Sequence, residues 1–533
     1  MNTKTLTNFA IVAAATTLTF ALATCALAAD PPAGFALIGH IEKFTLDDPS
    51  SPTSSAVMRV RGIDVVLPRN LVITLPGGYL TAQQLFKGRD LRSPIDPQRS
   101  GLALLDFTAA DSACPALPEF AGRLCPQPAA EAELSGNIIG GQYIAGIARI
   151  AQGGLHIGGG FIRSIDAATG TLLVGADGGA GPTARLKLND PEGIYGVKAV
   201  GQDMRFALDP GNAPVIARTG FPVCIQRSAG DALCPSGNRP APVAANFNRF
   251  TCGNVPADAD APVLAGCAPH LPIPLRVGDH VDYVGRIDKD TNGYFFSLHG
   301  MQAEIGAYTS PGVDPAYAMI EEAIEGTLGE RYPDIPQEET SRFKLVGFTS
   351  DPSRTVDVDI FDDDVDSGPL TPVPPPSRLA TRIVPTNGAQ LGRFKMIWAA
   401  KEDARIVRRA TRVTLSAATQ PSDSRYAPGK SSQELALPGS SRRGGYAYGS
   451  FEAPVSEYIS PEATRFGVKG YQPPINFENF CFQKRTNVVE TQEPDPGNAT
   501  GWVAVTAAPL SPTPAARALS QLRGDGTRVC GVN

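Results

Sequence analysis

Apolar and polar positions alternate with period two along much of this chain. The longest such stretch is Arg276 to Gly300, RVGDHVDYVGRIDKDTNGYFFSLHG. Val281, Tyr283 and Ile287 alternate with polar residues, and Tyr294, Phe296 and Leu298 do so again. Alternation over this length marks half-buried strands. The polar DKDTNG between the runs ends in Asn-Gly, a turn signal, so the stretch predicts a β-hairpin. A shorter copy lies upstream in Phe161 to Gly175, FIRSIDAATGTLLVG, with the same order of strand, Ile-Asp, turn and strand. Twisted hairpins are therefore the expected building unit.

At the N-terminal side GFALIGHIEKFTL, AVMRVRG and IDVVLP predict three strands, and Thr81 is the expected N-cap of one or two helical turns. Strand, strand, short helix is the order of a small barrel such as the OB-fold. From Leu134 the chain is glycine-rich and strand-like, with glycines expected at bulges and corners. The clearest helix is expected after Asp314 as N-cap and Pro315 at the first position, with Ala316, Ile320, Ala323 and Ile324 on one face. FKLVGFTS and TVDVDIF add strands. Prolines at 369, 372 and 374–376 predict a stiff linker. GRFKMIWAAKEDARIVRRATRVTLSA and GGYAYGSFEAPVSEYI predict further strands, and PAARALSQLR a short helix. The fold class expected is all-β and mostly antiparallel: several small OB-like barrels or sandwiches with a few short helices, stapled by disulfides. Expected boundaries are a leader at 1–28, an OB-like unit at 29–130, and a glycine-rich β unit with disulfide loops at 131–270. An OB-like unit with one helix at 271–368, the linker at 369–376 and a β-rich C-terminal domain at 377–533 follow.

Composition sharpens the setting. The apolar run Phe9 to Leu22 follows Lys4 and precedes the small-residue site Ala26-Leu27-Ala28, which is the pattern of a secretory signal peptide. A membrane anchor is the alternative, for which the run is short; lipid attachment at Cys25 fits poorly after Thr24. No later stretch reaches the ~20 apolar residues of a membrane helix. The expected location is secreted, extracellular or periplasmic, with no membrane span once the leader is removed. Glycines (55) and prolines (48) make up about one residue in five, against a usual ~12 %, while apolar content is ordinary, so many turns and short strands are expected. A net charge of −6 argues against nucleic acid as a partner, because phosphate contacts need a basic surface. Eight of the nine cysteines lie beyond the leader. Proximity pairs them as Cys114–Cys125, Cys224–Cys234, Cys252–Cys267 and Cys481–Cys530, while metal binding would need CxxC or Cys/His clusters, which are absent.

Candidate chemistry is sparse. Asp288, Asp290, Asn292 and Gly293 match the opening of a calcium loop, and alternate oxygen ligands with a glycine at the bend are what Ca²⁺ takes. The twelfth position is His299 rather than Glu and the flanks are strands, so the alternative is a turn pinned by side-chain hydrogen bonds; no other cofactor is expected. A second acidic run, Asp357, Asp359, Asp362, Asp363, Asp364 and Asp366, is either a screened solvent loop or a cation site. Ser341 and Lys344 fit S-x-x-K without companion motifs, and neither G-x-S-x-G nor H-E-x-x-H occurs. The histidines show no ligand spacing; His156 beside Gly158–Gly160 is the one placed for close backbone approach to a ligand. Lys401, Arg405, Arg408, Arg409 and Arg412 make a local basic stretch. Tyr446 and Tyr448 share a strand face, with Phe451 joining through a bulge, and form a candidate stacking platform for sugars.

RNLVITLP, LKLNDPEGIYG, ARTGFPVCIQR, DALCPSGNRP and PPINFENF together resemble a group of secreted, uncharacterised proteins of fungi and bacteria. The resemblance spans much of the chain and carries no catalytic motif, so it implies secretion and no activity. The function expected is non-catalytic binding or structural work at the cell exterior, with a glycan or other extracellular polymer as ligand. The alternative is a secreted glycosidase-like hydrolase using Asp and Glu residues, which needs only two carboxylates.

Overall fold

The computed structural model describes residues 33–106, 130–150, 156–208, 215–242, 248–326, 342–362, 377–399, 408–416 and 448–459, with short interruptions at 52–53, 70, 72, 77, 92, 140, 192 and 387–389. The protein is all-β across these residues, and most strand pairs are antiparallel.

The first unit is a closed barrel. Its strands are β1 (Ala33–Leu46), β2 (Ala56–Val60) and β3 (Ile63–Leu67); a short hairpin of β4 (Ile73–Leu75) and β5 (Gly78–Leu80) follows, then α1 (Ala82–Leu85), β6 (Glu131–Ile139) and β7 (Gln142–Ile150). β1 serves two neighbours because it bends at a register shift between Ile41 and Lys43: its first half pairs with β6 and its second with β2. β2 pairs with β3 and β6 with β7, and parallel pairing of β3 with β7 closes the ring through Val65↔Tyr143 and Val66↔Ile144. This order, 1-2-3-5-4 in barrel strands and back to 1, is that of an OB-fold. Ile41, Phe44, Met58, Leu134 and Ile144 fill it. α1 starts as the sequence predicts: Thr81 and Gln84 form a reciprocal capping box.

The second unit repeats the plan. β8 (Ile157–Asp166), β9 (Thr171–Gly175) and β10 (Thr183–Leu188) form a meander, and two long strands after a large insertion complete the barrel. The insertion carries β11 (Val215–Ala217), β12 (Val223–Cys224), β13 (Arg249–Cys252), β14 (Val263–Leu264) and β15 (Ile273–Pro274). β16 (His280–Asp290) and β17 (Gly293–Ala303) are the predicted hairpin. β8 pairs with β16, and parallel pairing of β10 with β17 closes the ring from Leu186↔Phe296 to Leu188↔Leu298. Ile162, Leu172, Leu186, Val281 and Leu298 pack inside. Disulfides Cys224–Cys234 and Cys252–Cys267 staple the insertion as proximity predicted. The insertion buries Phe221, Val223, Ile225, Phe250 and Ile273 against the barrel core, and the cross-links add to that by restricting its unfolded ensemble.

After β18 (Gly306–Thr309), which pairs with β13, come β19 (Ala318–Gly326), β20 (Arg342–Thr349), β21 (Val356–Asp362), β22 (Ser377–Ile383), β23 (Arg393–Ala399), β24 (Arg408–Leu415), β25 (Ser450–Pro454) and β26 (Glu457–Ile459). They form two four-stranded sheets, β23-β20-β19-β26 and β22-β21-β24-β25. Phe343, Leu345 and Phe394 of one share a core with Val356, Val358 and Val413 of the other. This third unit is a sandwich rather than an OB-like barrel among the described residues.

Two expectations are corrected. Hydrogen bonding crosses the boundaries expected at 130/131 and 270/271, since β6 and β7 complete the first barrel and β16 and β17 the second. The helix expected after Asp314 is strand β19, paired with β20 from Ala318↔Thr349 to Glu325↔Phe343. Its spacing imitates a helix for a physical reason. The step from Ala316 to Ile320 is also two strand repeats, and a bulge between Ile320 and Glu322 adds one residue, which makes the three-residue step to Ala323. The leader, Cys114–Cys125, Cys481–Cys530, the proline linker and the C-terminal helix lie outside the described residues. No helix among the described residues is long and apolar enough to cross a membrane.

Candidate functional site

OB-folds bind ligands beside strands 2 and 3, between the loop joining strands 1 and 2 and the loop joining strands 4 and 5. In the second barrel these loops are the turns of its two hairpins. In the β8–β9 turn the Asp166 carboxylate accepts from the Ala168 amide at 3.0 Å and the Thr169 hydroxyl at 2.6 Å. In the β16–β17 turn the Asp290 carboxylate accepts from the Asn292 amide at 2.8 Å. Each turn ends in a glycine with left-handed backbone, Gly170 at φ 66° and Gly293 at φ 101°, which L-residues disfavour. Between the turns lies a cavity of about 160 Å³. Thr169 and Gly170, Lys187 of β10, and Asp288, Asp290 and Phe295 of the long hairpin line it, and the segment 197–202 roofs it.

The roof is held from the insertion. Ala199 N–H donates to the Asp190 carbonyl at 2.8 Å, and Gln202 Nε2 to the Leu188 carbonyl at 3.1 Å. Arg227 spreads its guanidinium over the carbonyls of Gly193 (2.8 Å), Ile194 (3.2 Å) and Gly196 (2.9 Å), and pairs with Asp231 at 2.6 Å. Arg227 lies inside the loop closed by Cys224–Cys234, so the disulfide, the arginine and the roof form one mechanical chain.

The floor carries charge that is already paired. Arg185 grips Asp290 with two hydrogen bonds of 2.9 and 2.7 Å, and Lys187 Nζ adds a third at 2.8 Å. Both cations also lie 5.2 Å from the centroid of the Phe295 ring. The Arg185 hydrogen bonds, reinforced by Lys187, hold the Asp290 carboxyl well below the usual carboxylate range. Asp288 is gripped by Arg89 of the first barrel, with both contacts at 3.1 Å. The mouth is different. Lys198 is exposed, Lys289 lies 5.3 Å from the Tyr294 ring centroid, and Tyr294 and Val200 are 42 % and 86 % exposed.

The candidate calcium residues thus divide. Asp288 and Asp290 meet at the cavity, where arginines and a lysine take their oxygens, while Asn292 sits exposed at the hairpin tip. The Asp290–Asn292 contact is the hydrogen-bonded turn. Tyr448 packs half-buried against the core of the second barrel and Phe451 half-buried against the sandwich core, so these two do not share an exposed face; Tyr446 lies outside the described residues. The ring in the cavity lining is the buried Phe295, and the exposed ring Tyr294 stands outside the lining, against Lys289. His156 is half-buried, its carbonyl accepts from Gly285 N–H at 3.1 Å, and burial pushes its imidazole pKa down. Lys344 pairs with Glu322 at 2.8 Å, and Ser341 lies outside the described residues. Arg412 stands opposite Asp359 in the β21–β24 register. Arg185, Lys187, Lys198 and Arg227 are the residues that sequence reasoning missed. Only Lys187 gave a signal, by its place on the strand beside the first hairpin. No family model matches the chain, and neither curated proteins nor solved structures yield a match to it.

Proposed function

We propose that this is a secreted, non-catalytic binding protein whose second barrel takes one sugar unit of an extracellular glycan between its hairpin turns. The observation that carries the reading is the cavity at the convergence of the two turns, where OB-folds hold oligosaccharides. Its size suits a single six-membered ring, since a cavity of ~150 Å³ accommodates benzene. Thr169, Gln202 and the lysines at the mouth supply hydrogen bonds, and the exposed Tyr294 ring, outside the lining but with its centroid 5.3 Å from Lys289 Nζ, offers a flat apolar face beside it. The two disulfides and the leader-like N-terminus support secretion.

A glycosidase needs one carboxylic acid with a raised pKa beside a second carboxylate. Asp290 is pulled the opposite way by Arg185, which favours binding over hydrolysis at this cavity. The test is incubation of the purified chain with a panel of neutral and acidic polysaccharides, measuring retention and released sugars. Retention without release is expected, weakened about tenfold, ~1.4 kcal/mol, by Tyr294→Ala. Released oligosaccharide that disappears on substituting a single Asp or Glu would replace this reading with the hydrolase.

A further inference from the structure

We infer that His280, Asp282 and Glu304 form a binding site for a divalent transition-metal cation, Zn²⁺ first among them, at the opposite end of the β16–β17 hairpin from the cavity. One ligand atom from each residue lies within 4.8 Å of the other two. The placement follows from the strands. His280 and Asp282 are two apart on β16 and so project from one face. Glu304 follows β17 directly, and its amide donates to the His280 carbonyl at 3.0 Å, which fixes the third residue beside the first.

Two further observations point to a ligand. The His280 ring packs edge-on against Phe161, 5.0 Å between centroids, and its Nδ1 is buried without a hydrogen-bond partner. Buried polar atoms are normally satisfied, and a bound ion is one partner that such a nitrogen takes. The Asp282 carboxylate lies over Gly159 of β8, where a Cβ would come within 2.4 Å of Oδ1. The missing side chain at Gly159 thus clears the space that carboxylate occupies. Ligand atoms around Zn²⁺ sit at ~2.0–2.2 Å from the metal, so the three must draw together. Asp282 and Glu304 are exposed and have the rotamer freedom to do so. One imidazole with two carboxylates suits zinc and its neighbours rather than calcium, which takes six to eight oxygens. Water completes the coordination. The competitor is Arg218, which pairs with Glu304 at 2.9 Å; that pair is exposed at both ends and correspondingly weak.

The experiment is zinc titration of the purified chain by calorimetry, with thermal melting in zinc, calcium and chelator. Zinc should bind at one site and raise the melting temperature, while calcium at the same concentration should not. His280→Ala should weaken binding more than ~100-fold, since even outer partners of a metal ligand are worth ~10–100-fold, and Glu304→Gln should weaken it too. Arg218→Ala should leave zinc binding as tight or tighter, because it frees Glu304. Absence of zinc uptake by a folded chain overturns the inference, and so does uptake that both His280→Ala and Glu304→Gln leave unchanged.

Discussion

Asp203 and Arg286 meet at 2.8 Å with both side chains less than a tenth exposed, and the contact braces the insertion of the second unit where it meets the first barrel. Asp203 also accepts from Arg205 at 2.7 Å, and Arg205, itself fully buried, donates to the Leu85 and Ser100 carbonyls of the first barrel. Arg286 belongs to β16 of the second, and its guanidinium lies 4.8 Å from the Phe206 ring centroid. Asp203→Ala leaves two buried guanidinium groups without their counter-charge. Removing one partner from such a set costs ~3–5 kcal/mol. A urea titration should show a loss of that order, and a loss below ~1 kcal/mol would mean that packing alone holds the insertion in place there.

The same carboxylate sets an acid limit. Burial alone would raise the Asp203 pKa, but Arg205 and Arg286 outweigh it and hold the group well below the usual carboxylate range. A depressed folded pKa contributes stability that is present above ~4 and is lost as pH falls further. Urea midpoints between pH 7 and 3 should therefore fall more steeply in the wild type than in Asp203→Asn. Parallel curves would remove Asp203 from the account.

Asp190 behaves in the opposite sense. Burial pushes its carboxyl up to about 6, against the opposing pull of the Ile194 and Tyr195 amides and Arg227. A raised folded pKa contributes stability that is complete below ~4 and is lost as pH rises through about 6. Asp190 also anchors the cavity roof through its carbonyl. Asp190→Asn, neutral throughout, should flatten the stability profile between pH 4 and 7, and a profile identical to wild type would contradict the assignment.

Arg227→Met removes the guanidinium that gathers the Gly193, Ile194 and Gly196 carbonyls. A hydrogen bond from a charged group contributes ~1.5–3 kcal/mol, and water can replace part of the set at the part-exposed guanidinium, so a loss of at least ~2–3 kcal/mol is expected, with glycan retention falling in parallel. If stability falls while retention is untouched, the roof is not part of the binding site.

Cys252–Cys267 spans 15 residues, a loop whose closure is worth ~3 kcal/mol in the chain-entropy model. The double variant Cys252→Ser with Cys267→Ser should lower stability by about that amount in calorimetric melts. An unchanged melt would indicate that the pairing of β13 with β14 and β18 holds this loop without the cross-link.

Much of this architecture was legible because strand alternation is local. Val281, Tyr283 and Ile287, and the Thr81 cap, announce their elements within a few residues. The barrel boundaries were not legible, because closure pairs Leu186 with Phe296 and Val65 with Tyr143, and nothing local records such a partner. β19 misled because a bulge gave strand residues helical spacing. At the site, Asp288 and Asp290 stood out as an acidic turn, but their character comes from Arg89 and Arg185, which are remote in sequence. Tyr448, two positions from Tyr446, looked like part of a platform because alternation reports a shared face and not whether that face meets solvent or a core.

The parallel seam between β10 and β17 has a consequence for how the chain reaches its fold. The β8–β9–β10 meander leaves the translating chain long before β16 and β17, so it must wait, with an unpaired edge, until the whole of 189–279 has emerged. Contacts of such wide separation form slowly, because ring closure costs entropy before it returns any contact. The Cys224–Cys234 and Cys252–Cys267 bonds lie inside that span and fold out two of its segments, shortening the effective tether. Oxidation before closure should speed maturation, and a reducing compartment would hold the second barrel open to aggregation along the waiting edge.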